Sequence, residues 1–156
     1  MGETIVVNFI ESELPVIIIS DIEQAFLLAN QIPEFSGDFD YPGMVEKING
    51  RKFLSLIYTL GDEAVGFKLG YELNPNEFYS WLGGVLPSHR GNGIAKKLLL
   101  KQEGWARENG YSVIRVKSMN DFPEMLCMLT SSGYRINDVS NKESPDELKI
   151  HFYKNL

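Results

Sequence analysis

The chain has 156 residues, enough for one domain with a single core, and we expect that domain to span residues 1–156. Its 44% hydrophobic and 23% charged residues are typical of a globular protein and exclude a disordered or low-complexity one. The net charge of −6 argues against broad nucleic-acid binding, and no apolar run reaches the ~18 residues of a membrane span. The default expectation is a cytoplasmic protein that binds neither nucleic acid nor membrane.

The chain has few residues that could form a disulfide or hold a metal. Cys127 is the only cysteine, which excludes an intrachain disulfide and a cysteine-based zinc site. We expect this cysteine to be a small core residue. With His89 and His151 as the only histidines, no metal-ligand spacing stands out, and we predict no metal.

The first third of the chain predicts a strand, a helix and a segment of mixed character. Residues 4–10 are apolar and β-branched, as in a strand. Ser20 as the N-cap and Glu23 three residues later form a capping box, and the helix should end before Pro33. Aromatic and acidic residues are interspersed over positions 34–49. That segment fits a site for a cationic amine as well as it fits a solvated acidic loop whose aromatics pack.

The middle of the chain predicts three consecutive antiparallel strands and a helix. Residues 52–60 and 63–71 alternate as a hairpin, and residues 77–82 begin a third strand. Residues 94–108 have the periodicity of a helix that packs on a sheet. A strand at 111–118 should then run parallel to the third strand, because a strand-helix-strand unit returns the chain in the same direction.

The predicted helix at 94–108 is amphipathic. Its buried face is assigned to Ile94, Ala95, Leu98, Leu99, Gln102, Trp105 and Ala106, and its exposed face to Lys96, Lys97, Lys101, Glu103, Arg107 and Glu108. The remainder of the chain predicts a helix over 120–132 and strands at 134–139 and 148–153.

The junction between the third strand and its helix is the most informative stretch. Pro87 ends the strand, and Gly91 and Gly93 precede the helix. The first turn of a helix has four N–H groups without partners and a partial positive charge, which together suit an anion. Glycines allow the backbone to come within hydrogen-bond distance of phosphate oxygens. The junction therefore predicts a phosphate-binding loop.

Two common phosphate-binding loops fit this spacing poorly. The nucleotide P-loop has two glycines five positions apart followed by Lys and Ser or Thr, and Gly91 and Gly93 do not have that spacing. The dinucleotide fingerprint needs a third Gly or Ala where this chain has Lys96.

A third pattern matches at every specified position. The chain reads Val85-Leu86-Pro87-Ser88-His89-Arg90-Gly91-Asn92-Gly93-Ile94-Ala95, which resembles the Val-x-Pro-x-x-Arg-Gly-x-Gly-Ile-Gly/Ala motif of the GNAT acyltransferases, the Gcn5-related N-acetyltransferases. The order of predicted elements is also similar to that family over nearly the whole chain. The resemblance implies an α/β (α+β) fold with a mixed, mostly antiparallel central sheet of about seven strands flanked by helices.

The resemblance further implies that acetyl-CoA is the cosubstrate and lies in a gap between the fourth and fifth strands of the fold. The pyrophosphate would be held by the loop and the pantetheine arm by the strand before it, with Asn120 as a further contact; a helix cap is an equal alternative for Asn120. The implied cofactor-binding residues are Gly83, Gly84, Val85, Arg90, Gly91, Asn92, Gly93, Ile94, Ala95, Lys96 and Asn120.

Catalytic residues are less well indicated. The backbone N–H of Val85, or of Gly84, is the expected donor to the oxyanion, and Glu77 is the candidate general base, with a solvated strand-end glutamate as the alternative. Many relatives have a tyrosine as the general acid at the position of Leu129, so this chain lacks it. Tyr41, Tyr79 or an ordered water could act as the general acid instead, and Tyr79 is our candidate.

The predicted function is that of an N-acetyltransferase, which transfers an acetyl group from acetyl-CoA to a primary amine of a small molecule or peptide in a ternary complex. The alternatives are a noncatalytic acyl-CoA-binding or sensing domain and a nucleotide-binding transferase unrelated to CoA. The sequence selects no particular acceptor amine, and it is compatible with a homodimer.

Overall fold

The structure is a computed structural model that describes residues 14–35, 37–140 and 148–156. The strand expected at residues 4–10 lies outside these ranges. The helices and strands are β1 (Pro15–Ile19), α1 (Ile22–Ala29), α2 (Tyr41–Ile48), β2 (Phe53–Leu60), β3 (Glu63–Asn74), β4 (Glu77–Val85), α3 (Ile94–Glu108), β5 (Val113–Met119), α4 (Pro123–Ser131), β6 (Arg135–Ser140) and β7 (Lys149–Asn155). Short 3-10 turns occur at Pro33–Phe35 and Pro87–His89.

The seven strands form one sheet in the order β1-β2-β3-β4-β5-β7-β6. All neighbouring pairs are antiparallel except β4 and β5, which are parallel. The predicted fold class is therefore confirmed, together with the β2-β3-β4 meander and the parallel return after α3. The sequence analysis did not predict β1, a short strand that pairs with β2 at the sheet edge.

Helices cover both faces of the sheet, because each helix presents one apolar face to it. On one face, α1 and α2 pack on β3 through a cluster that includes Leu28, Met44 and Phe67. On the other face, α3 and α4 pack through a cluster that includes Leu98 and Leu129. Among the described residues, no helix is both long and apolar enough to span a bilayer.

The start of α1 differs by one residue from the capping box that the sequence predicts. The N-cap is Asp21, whose carboxylate accepts a hydrogen bond from the N–H of Gln24 at 3.0 Å. Ser20 instead joins β1 to β2, because its N–H donates to the carbonyl of Ser55 and the two hydroxyls lie 3.0 Å apart. Aspartate is as good an N-cap residue as serine. Because the Ser20 hydroxyl contacts Ser55, α1 is capped one residue later, by the carboxylate of Asp21.

Two burial predictions are wrong. Cys127 was expected in the core but is exposed, since α4 turns Leu129 rather than Cys127 toward the sheet. Glu103 was expected on the solvent face of α3 but is buried. Its carboxylate accepts hydrogen bonds from Tyr134 Oη at 2.9 Å and from Lys154 Nζ at 3.1 and 3.2 Å. Tyr134, directly before β6, and Lys154 of β7 are therefore polar partners on a helix flank that periodicity alone marks as exposed.

The packing of α3 on β3 depends on a glycine. A Cβ on Gly70 would lie 2.5 Å from Phe78 Cε1, 2.6 Å from the Tyr79 carbonyl oxygen and 2.8 Å from Gln102 Nε2. Because one of these neighbours is backbone, we expect Gly70→Ala to lower the free energy of unfolding by ~1–3 kcal/mol in urea denaturation. The matched control is Gly104→Ala on α3. No atom lies within 4 Å of its Cβ, so this change should stabilise the helix by up to ~1 kcal/mol. Equal effects of the two changes would contradict the packing argument.

Candidate active site

A bulge in β4 separates it from β5 and opens the sheet. In the pairing with β3, Leu69 lies opposite Leu82 and Gly70 lies opposite Ser80, so Trp81 is an extra residue in β4. The parallel pairing with β5 extends only from Glu77 to Ser80. A bulge bends its strand and increases the local twist. The two strands therefore diverge from Trp81 onward.

The gap between the diverging strands is occupied by a cavity of about 950 Å³. On the side of the sheet that carries α3 and α4, its lining includes Lys68, Ser80, Gly91, Gly93, Ile94, Ala95, Lys96 and Met128. On the side that carries α1 and α2, its lining includes Glu34, Phe35, Asp38, Phe39, Tyr79 and Trp81. The cavity thus passes through the sheet and can admit one molecule from each side.

The hydrogen-bond pattern between β3 and β4 shows which backbone groups face this gap. The N–H of Leu86 donates to the carbonyl of Val65 at 2.8 Å, which makes Gly66 and Val85 a non-hydrogen-bonded pair. The N–H and C=O of Val85 consequently point away from β3. By alternation, those of Gly83 do the same, whereas those of Gly84 point toward β3. Of the three residues predicted to pair with an extended ligand, Gly83 and Val85 are suitably oriented, and Gly84 is not.

The loop before α3 has the geometry of an anion site. Gly91 and Gly93 have φ of +82° and +75°, and no atom of the described residues lies within 4 Å of a Cβ built on either glycine. Gly93 is the N-cap of α3, and no side chain caps the helix there. The Asn92 side chain donates to the carbonyl of His89 at 3.2 Å, so it closes the loop. The first-turn N–H groups of a fifteen-residue helix are thereby left open toward the cavity.

Arg90 connects this loop to the opposite wall of the cavity. Its Nε donates to the Val85 carbonyl at 3.0 Å, and its two terminal nitrogens form a bidentate pair with the Glu34 carboxylate at 2.8 Å each. These hydrogen bonds raise the pKa of Arg90 and lower that of Glu34. The guanidinium therefore holds the Pro33–Phe35 turn against the loop before α3, and its charge is already shared with Glu34.

Glu77 does not line the cavity, and neither do Asn92 and Asn120, whereas the other predicted site residues do. Glu77 is the first residue of β4, eight residues from Val85, which corresponds to about 26 Å of strand. Its carboxylate accepts hydrogen bonds from Arg115 at 2.7 and 3.0 Å and from Asn74 at 2.7 Å. The Arg115 bonds first, and then the Asn74 bond, lower the Glu77 pKa. A carboxylate placed and paired in this way is a poor general base for chemistry in the gap.

Tyr79 does line the cavity, on the side of α1 and α2. Its ring contacts Tyr71 edge-on at 5.3 Å, and Lys117 Nζ lies 5.5 Å from its centroid. Burial, and secondarily Tyr71, raises its pKa to about 12, so its hydroxyl keeps its proton at neutral pH. Tyr41, the other tyrosine considered, packs against Phe26 and does not contribute to the lining of this cavity.

Two further positions complete the comparison with the sequence analysis. Asn120 is exposed and lies between β5 and α4, two residues before Phe122, the N-cap residue of α4. Its neighbours Met119 and Asp121 line the cavity. Leu129 is fully buried in the core beneath α4, so the position where many relatives have a tyrosine contributes no polar group.

Two cavity residues were missed by the sequence analysis. Lys68 is only 5% exposed, and burial lowers its pKa from 10.5 to about 8. Ser80 is 3% exposed, and within the described residues its Oγ has no hydrogen-bond partner. The available signal was one lysine in the apolar strand that runs from Ala64 to Tyr71. A lysine is seldom fully buried without a pairing partner, so its position there indicates a specific role.

Solved structures with this architecture are numerous. An IAA acetyltransferase from Bacillus cereus is 18% identical and has a TM-score of 0.76, with 92% of this chain and 100% of that chain covered. The ribosomal-protein-S18-alanine N-acetyltransferase from Escherichia coli is 13% identical with a TM-score of 0.76, covering 91% and 94%. A GNAT family acetyltransferase from Elizabethkingia anophelis, solved with acetyl-CoA bound, is 13% identical with a TM-score of 0.74, covering 91% and 98%. These likenesses establish the fold.

Sequence comparison identifies the family. No curated protein is a significant match to the chain. The sequence model of the acetyltransferase (GNAT) family, however, matches residues 20–124, which is more than half of the 156 residues. The matched range includes the bulge in β4, the glycine loop at residues 90–93 and α3. The chain therefore belongs to the GNAT acetyltransferase family.

Proposed function

We propose that this protein transfers an acetyl group from acetyl-CoA to a primary amine of a small molecule or peptide. The observation that carries the proposal is the cavity through the sheet, which has a phosphate loop on one side and an aromatic and acidic wall on the other. Two substrates that enter from opposite faces would meet where β4 and β5 diverge. That arrangement suits direct transfer within a ternary complex.

The residues of the α3 side fit acetyl-CoA. The open space above Gly91 and Gly93 and the free N–H groups of the first turn of α3 suit a pyrophosphate. Lys96, exposed beside them, adds positive charge. The outward N–H and C=O of Gly83 and the outward N–H of Val85 would pair with the amides of the pantetheine arm, as an added strand would. The Val85 carbonyl already accepts a hydrogen bond from Arg90 Nε.

The opposite wall suggests the character of the acceptor. Phe39 contacts Phe35 at 6.1 Å and Trp81 at 6.0 Å, both edge-on, and Asp38 stands exposed at the same cavity. Aromatic faces and a carboxylate together favour a cationic group on an apolar body. We therefore place the acceptor amine among compounds of this kind.

The chemistry requires three tasks. An outward N–H of Gly83 or Val85 would stabilise the negative charge that develops on the thioester oxygen. The attacking nitrogen must lose a proton, and with Glu77 distant from the cavity we assign that proton to solvent. The departing sulfur must gain a proton, and the candidates on the cavity wall are Tyr79 and Lys68.

The absence of a tyrosine at Leu129 and the distance of Glu77 from the cavity are also compatible with a noncatalytic acyl-CoA-binding domain. Measuring turnover distinguishes that alternative from our proposal. The purified protein is incubated with acetyl-CoA and a panel of amines, and both free thiol and acetylated amine are quantified. We expect equal amounts of both, with cationic aromatic amines the fastest. Tight acetyl-CoA binding without acetylation of any amine would favour the sensing domain.

The phosphate loop can be tested with one matched pair of variants. Gly93→Ala places a methyl group in the space assigned to phosphate and costs ~1–2 kcal/mol of backbone strain at φ +75°. We expect its dissociation constant for CoA to rise about 10- to 100-fold, because charge-assisted hydrogen bonds are lost. Gly50→Ala has φ +73° and equally open space outside the cavity, so it carries the strain alone. Equal CoA affinity in the two variants would contradict the assignment.

A further inference from the structure

Lys68 is the least expected residue of the cavity. Its side chain points to the α3 face of the sheet, the face toward which a Cβ added to Gly66 or Gly70, two residues away on either side, would also point. A Cβ on Gly66 would meet Ile94 and Leu98 of α3, and one on Gly70 would meet Gln102. Lys68 lies between these positions and reaches the cavity instead of solvent.

The lysine lies directly over the part of β4 that faces the gap. Lys68 is opposite Gly83, in a pair whose Cα atoms are about 4.5 Å apart because it is of the non-hydrogen-bonded type. A Cβ on Gly83 would come within 3.3 Å of Lys68 Nζ and 3.7 Å of its Cγ. Because Gly83 has no side chain, the Lys68 ammonium fits directly beside the backbone groups that the pantetheine arm would use.

The surroundings of the ammonium leave it available for a ligand. Across residues 14–35, 37–140 and 148–156, no carboxylate lies within ion-pair distance of Lys68 Nζ. Glu103 on α3 acts at longer range, and it is already bonded to Tyr134 and Lys154. Tyr58 of β2 shares this face. The cavity is also lined by charged or titratable residues from the loop before α3, from α3, β5, α4 and their connection, and β7, namely His89, Arg90, Lys96, Lys117, Asp121, Glu124 and Lys149.

A second polar group points to the same ligand. The hydroxyl of Ser80 is buried, lines the cavity at the point where β4 and β5 separate, and lacks a hydrogen-bond partner among the described residues. Buried polar groups are normally satisfied, so an unpaired hydroxyl and an unpaired ammonium that line one cavity indicate that a polar group binds between them.

We propose that Lys68 is the proton donor to the sulfur that leaves during acetyl transfer, in place of the tyrosine that is absent at position 129. This inference rests on the proposed function. The acceptor nitrogen bonds to the carbonyl carbon, and the carbon–sulfur bond breaks with its electron pair on sulfur. Sulfur then takes a proton from Lys68 Nζ. The proton that the acceptor nitrogen loses goes to solvent, from which Lys68 is protonated again.

Lys68 is a better candidate than Tyr79 for the proton donor to sulfur for two reasons. Tyr79 lies on the α1 side of the sheet with Tyr71, whereas the phosphate loop and Lys68 lie on the α3 side. A donor with a pKa near that of a thiol also transfers its proton at low cost, and the pKa of Lys68 is about 8, against about 12 for Tyr79.

The first test needs no turnover. The thiol pKa of bound CoA is measured from the ultraviolet absorbance of the thiolate in the wild type, in Lys68→Met and in Lys101→Met, an exposed lysine on α3 that serves as the control. An ammonium beside the sulfur should lower the thiol pKa by about one unit or more relative to Lys68→Met. Equal thiol pKa values in all three proteins would overturn the proposal. Failure of CoA to bind the wild type would instead overturn the proposed function.

The second test uses the rate of transfer. We expect the kcat of the wild type to fall above pH about 8, as Lys68 loses its proton. We expect Lys68→Met to lower kcat by about 100-fold or more, with little change in the KM for acetyl-CoA, and to abolish that fall. Tyr79→Phe should keep that fall. An unchanged pH profile in Lys68→Met, or loss of the fall in Tyr79→Phe, would assign the proton to another donor.

Discussion

Replacing Glu103 with leucine is expected to destabilise the protein by about 3 kcal/mol. Glu103 is only 3% exposed, and its carboxylate is the shared acceptor of the Tyr134 hydroxyl and the Lys154 ammonium. Burial, followed by the influence of Glu103, raises the pKa of Tyr134, so the phenol stays a donor. Leucine would leave that donor without an acceptor, and removal of one partner from a buried ion pair typically costs ~3–5 kcal/mol. The lower end applies because Lys154 is partly exposed and can be rehydrated.

Urea denaturation of Glu103→Leu and Glu103→Gln measures how much the hydrogen bonds of Glu103 contribute to the free energy of unfolding. Glutamine keeps an acceptor for Tyr134 and removes only the charge, so its cost should be ~1–2 kcal/mol. If Glu103→Leu is too unstable to purify, the glutamine variant still yields a value. Wild-type stability in Glu103→Gln, together with no loss in Glu103→Leu, would show that the buried carboxylate contributes nothing to the fold.

Replacing Lys68 with methionine is expected to have the opposite effect and raise stability at pH 7 by up to ~3 kcal/mol. Burial lowers the pKa of Lys68 from 10.5 to about 8, and each pKa unit corresponds to ~1.4 kcal/mol. At pH 7 the folded protein must therefore hold a poorly solvated ammonium that the unfolded chain exposes to water. A methionine of similar shape removes that cost.

The pH dependence of the free energy of unfolding tests the lowered pKa of Lys68. Between pH 8 and 10.5 the unfolded chain holds a proton on Lys68 that the folded protein has released, so the stability of the wild type should rise with pH in that window. Lys68→Met should lack this contribution, and its advantage should therefore shrink as the pH rises from 7 toward 10. Comparing the two proteins at each pH cancels the tyrosines, which both contain. A constant difference in urea midpoint over this range would refute the assigned titration.

The success of the sequence analysis with the fold has a local cause. The hairpin of β2 and β3, the strand leading to Gly83 and the helix after Gly93 are each specified by alternation, periodicity or turn residues within a short window. The parallel return of β5 then follows from the handedness and direction of a strand-helix-strand unit. The glycine loop before α3, which we propose binds phosphate, could be located for the same reason, since all of its residues are contiguous.

The catalytic part depends on long-range pairing, which no short window contains. The outward orientation of Gly83 and Val85, and the inward one of Gly84, follow from the register with β3. The displacement of Glu77 follows from the length of β4 and from the position of Arg115 on β5. The ammonium of Lys68 fits at the proposed site because its neighbour on β4, Gly83, has no side chain. None of these relations is visible until the sheet is assembled.

The burial errors have the same origin. The stripe on α3 was assigned from one apolar face, but Tyr134, directly before β6, and Lys154 of β7 reach Glu103 on the flank of that helix. Hydrophobic periodicity identifies the face of a helix that packs on the sheet. It does not identify contacts that the flanks of the helix make with residues distant in sequence.

Thermal unfolding with acetyl-CoA, CoA and ATP titrated separately tests the central claim most directly. A ligand at a hundred times its dissociation constant stabilises the folded state by ~2.7 kcal/mol, which at this size raises the midpoint by about 5–10 °C. We expect both CoA forms to produce that shift in the wild type and ATP to produce none, with Gly93→Ala responding only at much higher concentration. No shift with either CoA form, or an equal shift with ATP, would contradict the assignment of the gap between β4 and β5 as an acyl-CoA site.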